Sequence, residues 1–183
     1  MTQPVISVFG SSAPQPDSEP YEEARRLGLA LAEVGFAVAT GGYGGVMAAV
    51  SRGAAEARGR VIGVTSSHME QWRPTPPNEW VSEEIRHSSQ RDRLLHLVTQ
   101  NDGMIALPGG IDTLSKVALA WSLLQTGEIS TRPLVLLGPT WRETIRVYAQ
   151  AEYIRPRDID LLYLATSAET AVAYVRQRLA DRL

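Results

Sequence analysis

The sequence predicts a doubly wound α/β domain, a parallel sheet covered by helices on both faces. Three observations carry that reading. Short runs that are apolar throughout alternate with segments of helical period, the pattern of buried parallel strands joined by crossover helices. Turns of glycine and small residues follow three of those runs, at Gly10–Ser12, Gly41–Gly45 and Gly109–Thr113. A length of 183 residues with 44% hydrophobic and 21% charged side chains suits a single domain with a substantial core.

Taken in order, Pro4 to Phe9 is a first short strand, ending in Gly10-Ser11-Ser12-Ala13-Pro14. Asp17 or Ser18 can cap a helix that runs to about Val34, with Ala24, Leu27, Leu31 and Val34 inward and Gly35 ending it. Phe36 to Thr40 is a second strand. The turn Gly41-Gly42-Tyr43-Gly44-Gly45 then opens a helix with Val46, Ala49, Val50 and Ala54 inward. Arg60 to Val64 is a third strand, and Ser66 to Trp80, rich in Pro, Trp and Met, reads as an irregular excursion. A helix follows over Ser89–Gln100. Next come a strand over Met104–Leu107 and a helix over Thr113–Gln125 whose apolar face is read as Leu114, Val117, Ala118, Trp121 and Leu124. A strand over Leu134–Leu137, a helix over Trp141–Ala151, a last strand over Leu161–Ala165 and a helix capped by Ser167 and reaching Arg182 complete the chain.

Composition narrows the function. A net charge of -2 without a basic stripe argues against nucleic acid as a partner. The absence of cysteine removes thiolate chemistry, and no apolar run reaches membrane-spanning length. His68, His87 and His96 lack metal-ligand spacing, so no metal and no resident cofactor is expected. Without a basic flank and cleavage site after Val5–Phe9, a cytoplasmic location is the default expectation.

The glycine turns suggest the chemistry instead. Each leads from a strand end into a small-residue turn, two of them directly into a helix, whose first N–H groups lack partners and whose dipole is positive. Such a turn accepts an anion, and Gly109-Gly110 lets a phosphate approach the backbone with no Cβ in the way. In a parallel sheet these turns share the carboxyl edge, where ligands collect. The pattern is neither G-x-G-x-x-G nor Gly-Lys-Ser/Thr.

Several phrases together resemble the LOG family, whose characterised members are cytokinin riboside 5′-monophosphate phosphoribohydrolases. They are Val8-Phe9-Gly10-Ser11-Ser12, Thr40-Gly41-Gly42-Tyr43-Gly44-Gly45-Val46-Met47, and Leu107-Pro108-Gly109-Gly110 with Thr113. The last resembles the family motif P-G-G-x-G-T-x-x-E, and Trp121, Gln125, Gly127 and Arg132-Pro133 fit the stretch after it. The resemblance covers essentially the whole chain. It implies a Rossmann-like fold, a nucleoside monophosphate or related phosphorylated ligand, and a homodimer or higher homo-oligomer with sites near the interface. It also assigns a binding and catalytic role to Arg93, and ligand contacts to Gly10, Ser11, Ser12, Gly41, Gly42, Gly44, Gly45, Met47, Pro108, Gly109, Gly110, Asp112 and Thr113.

Two departures fall at the decisive place. Asp112 stands where the family motif has its third glycine, and Lys116 where it has the glutamate credited with N-glycosidic cleavage. A protonated lysine neither activates water nor stabilises a developing oxocarbenium ion. Lys116 is the only lysine among 18 basic residues. Asp112 and Lys116 can form an i,i+4 pair worth roughly 0.2–0.5 kcal/mol, or Asp112 can cap the helix. Alternatively, Lys116 reaches the phosphate or base of a different ligand. Two functions stay open: a nucleotide binder without family-type hydrolysis, and an active nucleoside 5′-monophosphate phosphoribohydrolase drawing on another carboxylate, such as Glu83, Glu84 or Glu128. Trp72, Trp80 and Met69 can stack on a base or pack against a partner subunit.

Overall fold

The computed structural model describes residues 3–150 and 152–181. In chain order the elements are β1 (Val5–Phe9), α1 (Glu19–Glu33), β2 (Ala37–Thr40), α2 (Val46–Glu56), β3 (Val61–Ser66), α3 (Ser67–Trp72), β4 (Glu83–His87), α4 (Gln90–Thr99), β5 (Gly103–Ala106), α5 (Ile111–Thr126), β6 (Leu134–Leu137), α6 (Pro139–Ala149), α7 (Pro156–Ile159), β7 (Leu162–Ala165) and α8 (Ala168–Ala180). The expected extensions of the last long helices to Ala151 and Arg182 lie outside the described residues.

The seven strands of the described residues form one parallel sheet in the order β4-β3-β2-β1-β5-β6-β7. The chain winds outward from β1 to β4, then returns to place β5 on the other side of β1. The winding therefore reverses between β1 and β5, and the crevice beyond their carboxyl ends is the expected ligand position of such a sheet. Two apolar layers sandwich the strands. On one side Leu27 and Leu31 of α1, Ala49 and Val50 of α2, and Val172 and Val175 of α8 cover the sheet. On the other, Leu97 and Val98 of α4, Val117 and Ala120 of α5, and Trp141 and Ile145 of α6 do so. The doubly wound Rossmann-like architecture expected from the sequence is the one observed.

The excursion after β3 is more regular than its composition suggests. Ser66 accepts a hydrogen bond from the Met69 N–H at 3.3 Å and caps α3. β4 then adds an edge strand whose charges sit outward: Glu84 and Arg86 are exposed while Glu83, Ile85 and His87 are half-buried. Its single aliphatic residue gave no apolar run to read. Among the helix caps, Ser18 occupies the N-cap of α1 without a side-chain cap bond. Ser167 forms a capping box with Thr170.

The inward face of α5 differs from the expected one. Thr113, Lys116, Val117, Ala120 and Leu124 are buried, whereas Leu114 is 45% exposed, Ala118 is exposed and Trp121 half-buried. Apolar residues occur on two sides of this helix, so periodicity alone selected the wrong stripe. The correction matters because it turns Lys116 inward.

Candidate functional site

The turns after β1, β2 and β5 meet at the carboxyl edge and are tied by one residue. The Ser11 N–H donates to the Pro108 carbonyl at 3.2 Å, and the Ser11 carbonyl accepts from the Val46 N–H at 2.8 Å. Gly45, at φ +64°, makes the second contact possible: a Cβ there would lie 2.5 Å from the Ser11 carbonyl oxygen. Beyond this floor opens a cleft of about 380 Å³, bounded also by α3 and its following loop and by the first turns of α4 and α5.

Of the residues singled out in sequence, Gly10, Ser11, Ser12, Gly44 and Met47 line the cleft from the first two turns, and Gly110, Asp112, Thr113 and Arg93 line it from the far side. Gly41, Gly42, Gly45, Pro108, Gly109 and Lys116 stand behind that lining. The polar groups of several of them already have partners within the protein. The Gly42 N–H donates to Thr40 Oγ1 at 3.1 Å and its carbonyl accepts from Asn78. The Gly41 carbonyl holds Arg93, and Gly109 makes room for Thr113, whose Oγ1 would lie 2.2 Å from an added Cβ. These glycines shape the site from beneath.

Arg93 is 2% exposed. Its Nε donates to the Val64 carbonyl at 2.7 Å, Nη2 to the Gly41 carbonyl at 3.0 Å and Nη1 to Gln90 Oε1 at 3.3 Å. The guanidinium also lies over the Tyr43 ring, 5.3 Å from its centroid. These partners are neutral, so they fix the group without cancelling its charge. Burial pulls its pKa below the ordinary arginine value, opposed by the Asp112 carboxylate and by Tyr43. An arginine remains charged through such a shift, so the cleft wall carries a fixed cation.

Next to it runs a polar chain. Gln90 Nε2 donates to Asp112 Oδ1 at 2.9 Å, and Lys116 Nζ donates to Asp112 Oδ2 at 2.5 Å and to the Asp112 carbonyl at 3.1 Å. Gly110 is the N-cap of α5, so Asp112 sits within the first turn and pairs forward with Lys116. Of the two structural readings left open by the sequence, the i,i+4 pair is the one formed. Lys116 is 4% exposed, deeper than its sequence context indicated, and its Nζ lies 6.0 Å from the centroid of the Phe9 ring. Burial pushes its pKa down from the ordinary lysine value, while the charge and hydrogen bond of Asp112 push it up and Arg93 adds a further downward push.

Both oxygens of Asp112 are thus occupied by donors. The other carboxylates considered lie elsewhere: Glu83 pairs with Arg60 on the sheet edge, Glu84 accepts from Thr65 Oγ1, and Glu128 is exposed beyond α5. His87 and His96 pack ring against ring, centroids 5.1 Å apart. Gln90 escaped the sequence reading, although its place three residues before Arg93 on one helix put it within reach. Tyr43, Arg73, Thr75 and Ile111 complete the missed lining.

Comparison with known proteins places the fold in a family. A protein of rice, Oryza sativa subsp. japonica, described as the probable cytokinin riboside 5'-monophosphate phosphoribohydrolase LOGL5, is 31% identical over 139 residues. That match covers 72% of this chain and 53% of the rice protein, so the chain spans about half of that relative. The solved structure of a molybdenum cofactor binding protein from the phototrophic bacterium Rippkaea orientalis superposes with a TM-score of 0.77 at 25% identity, covering 98% of this chain and 99% of that one. The molybdenum cofactor carrier protein of Chlamydomonas reinhardtii superposes with a TM-score of 0.74 at 26% identity, over the same shares. Residues 3–152, which contain every turn and side chain of the cleft, match the model of the SLOG cluster4 family, and the chain belongs to that LOG-like family.

Proposed function

We propose that the cleft binds a phosphorylated heterocyclic small molecule and releases it chemically unchanged. One observation carries this reading: the position at which the resembled motif has its catalytic glutamate is filled by Lys116, buried and paired with the cleft's own carboxylate. A hydrolase of the family type uses an acid near the ribose C1′, and that position here carries an amine. The adjacent carboxylate pairs with Lys116 and Gln90, while the anion-holding parts remain. The phosphate would sit against the first-turn amides of α5 and the Thr113 hydroxyl, with Arg93 on the same side of the cleft. Gly10, Ser11, Ser12, Gly44 and Met47 would form the floor beneath the rest of the ligand. The ligands named for the rice, Rippkaea and Chlamydomonas proteins, a nucleoside monophosphate and the molybdenum cofactor, both unite a ring system with a phosphate, which supports the class.

Hydrolysis has one observation in its favour, since Asp112 lines the cleft and its side chain is 55% exposed. Incubation with AMP and with isopentenyladenosine monophosphate separates the two readings. The expected result is saturable binding with intact nucleotide recovered. Release of free base that persists in Lys116→Ala and disappears in Arg93→Ala would establish hydrolysis instead. Calorimetry with these nucleotides and with the molybdenum cofactor identifies the preferred ligand, and absence of heat with all three would overturn the binding role.

The assembly belongs to the same proposal. Ile111, Leu114 and Ala118 form a stripe of three- and four-residue spacing on the outward side of α5, with Ile111 84% exposed. An apolar stripe on a helix whose opposite face already serves the core is suited to a second copy of the chain.

A further inference from the structure

We infer that Trp72 is the stacking platform for the ligand's heteroaromatic ring, an assignment that rests on the phosphate-binding reading above. The sequence offered Trp72, Trp80 and Met69 alike. In the structure Trp72 and Met69 line the cleft. Trp80 does not; it packs against the α1–α2 side of the core, with the Arg52 guanidinium 6.0 Å from its ring. Trp72 is 74% exposed and presents a large indole surface to the cleft.

Its position is held from both sides. The base of α3 is fixed by the Ser66 cap and by Arg86 of β4, which pairs with Glu70 and donates to Ser67 Oγ at 3.3 Å. Beyond the helix, Arg73 donates its backbone N–H to the Met69 carbonyl at 2.8 Å and extends Nη1 to Ser12 Oγ at 3.4 Å, across to the first turn. The indole is therefore carried on a segment fastened over the cleft. Tyr43, the other aromatic ring of the lining, is already committed. It lies under the Arg93 guanidinium, and its hydroxyl accepts the Ser66 N–H at 3.2 Å. Met47 and Met69 supply polarisable thioethers that adapt to the edge of a bound ring. A phosphate at the α5 end and a planar ring on Trp72 use the opposite walls of one cleft.

The experiment pairs ring-bearing and ring-free phosphates. AMP, GMP and ribose 5-phosphate are titrated into the wild-type protein and into Trp72→Ala and Trp72→Phe, followed by calorimetry and intrinsic fluorescence. Trp72 is the most exposed of the four tryptophans, so stacking quenches a solvent-facing emitter. With wild type, at least one nucleotide binds about 5-fold or more tighter than ribose 5-phosphate and quenches emission. Trp72→Ala erases that advantage and leaves ribose 5-phosphate affinity unchanged, whereas Trp72→Phe keeps part of it. Equal affinities in wild type, or an advantage that survives in Trp72→Ala, overturn the assignment alone. Failure of all three probes to bind wild type overturns the phosphate site and the assignment with it.

Discussion

Replacing Lys116 by methionine removes a buried ammonium and fills nearly the same space. What the lysine contributes can be bounded. Its ion pair is with a carboxylate whose side chain is 55% exposed, so solvent screening holds that attraction to at most about 1 kcal/mol. The approach to Phe9 adds about 0.5–1 kcal/mol, and the hydrogen bond to the Asp112 carbonyl about 1 kcal/mol. Against these stands the desolvation of a group only 4% exposed, several kcal/mol in order of magnitude. Lys116→Met is expected to stabilise the fold by about 1–2 kcal/mol, since Asp112 can turn to solvent when its partner is lost. For a chain of this size that raises Tm by roughly 2–8 °C. The pH dependence follows from the downward shift of the lysine. The folded protein binds that proton less tightly than the unfolded chain does. The penalty is therefore complete below the lowered folded pKa and fades as pH rises toward the ordinary lysine value. Denaturant titrations at pH 7 and near pH 10 test both parts, with a smaller difference between variant and wild type at the higher pH. A variant destabilised by more than about 1 kcal/mol at pH 7 would refute the reasoning and make the amine a net structural support.

Gly41→Ala places a Cβ 2.0 Å from Arg93 Nη2 and 2.6 Å from Met47 Sδ, so both side chains must shift; calorimetry is expected to show at least about 10-fold weaker nucleotide binding, and unaltered affinity would deny Arg93 its role. The double change Asp112→Gly with Lys116→Glu restores the resembled motif at both departures. It is expected to release free base from AMP above the wild-type level, and a variant that binds but stays inert would show that more than the missing acid blocks the reaction. Leu114→Glu puts a charge in the outward stripe of α5; sedimentation velocity should show a homo-oligomeric wild type and a monomeric variant, and a monomeric wild type would remove the basis for the interface.

Most of the architecture was readable because six of the seven strands contain apolar runs, a pattern that burial on both faces imposes on a parallel sheet. β4 escaped for the opposite reason. An edge strand needs only one half-covered face, and Glu-Glu-Ile-Arg-His satisfies that with no apolar run. α5 was placed correctly but turned the wrong way, since period locates a helix without saying which of two apolar stripes meets the core. At the site, the turns were found by spacing and Arg93 by the family resemblance, yet four of the seven glycines named as contacts lie behind the cleft lining. That distinction depends on where carbonyls and amides point, which residue names do not record. The burial of Lys116 was equally hidden, because a lysine in a helix is ordinarily a surface residue.

The backbone of Ser11 has a consequence for how this protein can move and change. Since its N–H and carbonyl bond the neighbouring turns on either side, a shift of Ser11 loads both contacts at once. Hydrogen exchange at the amides of Ser11 and Val46 should then share one opening event. A substitution that shifts any single turn will be felt in the other two, so altered ligand preference is more readily reached through the overhanging α3 segment than through the floor.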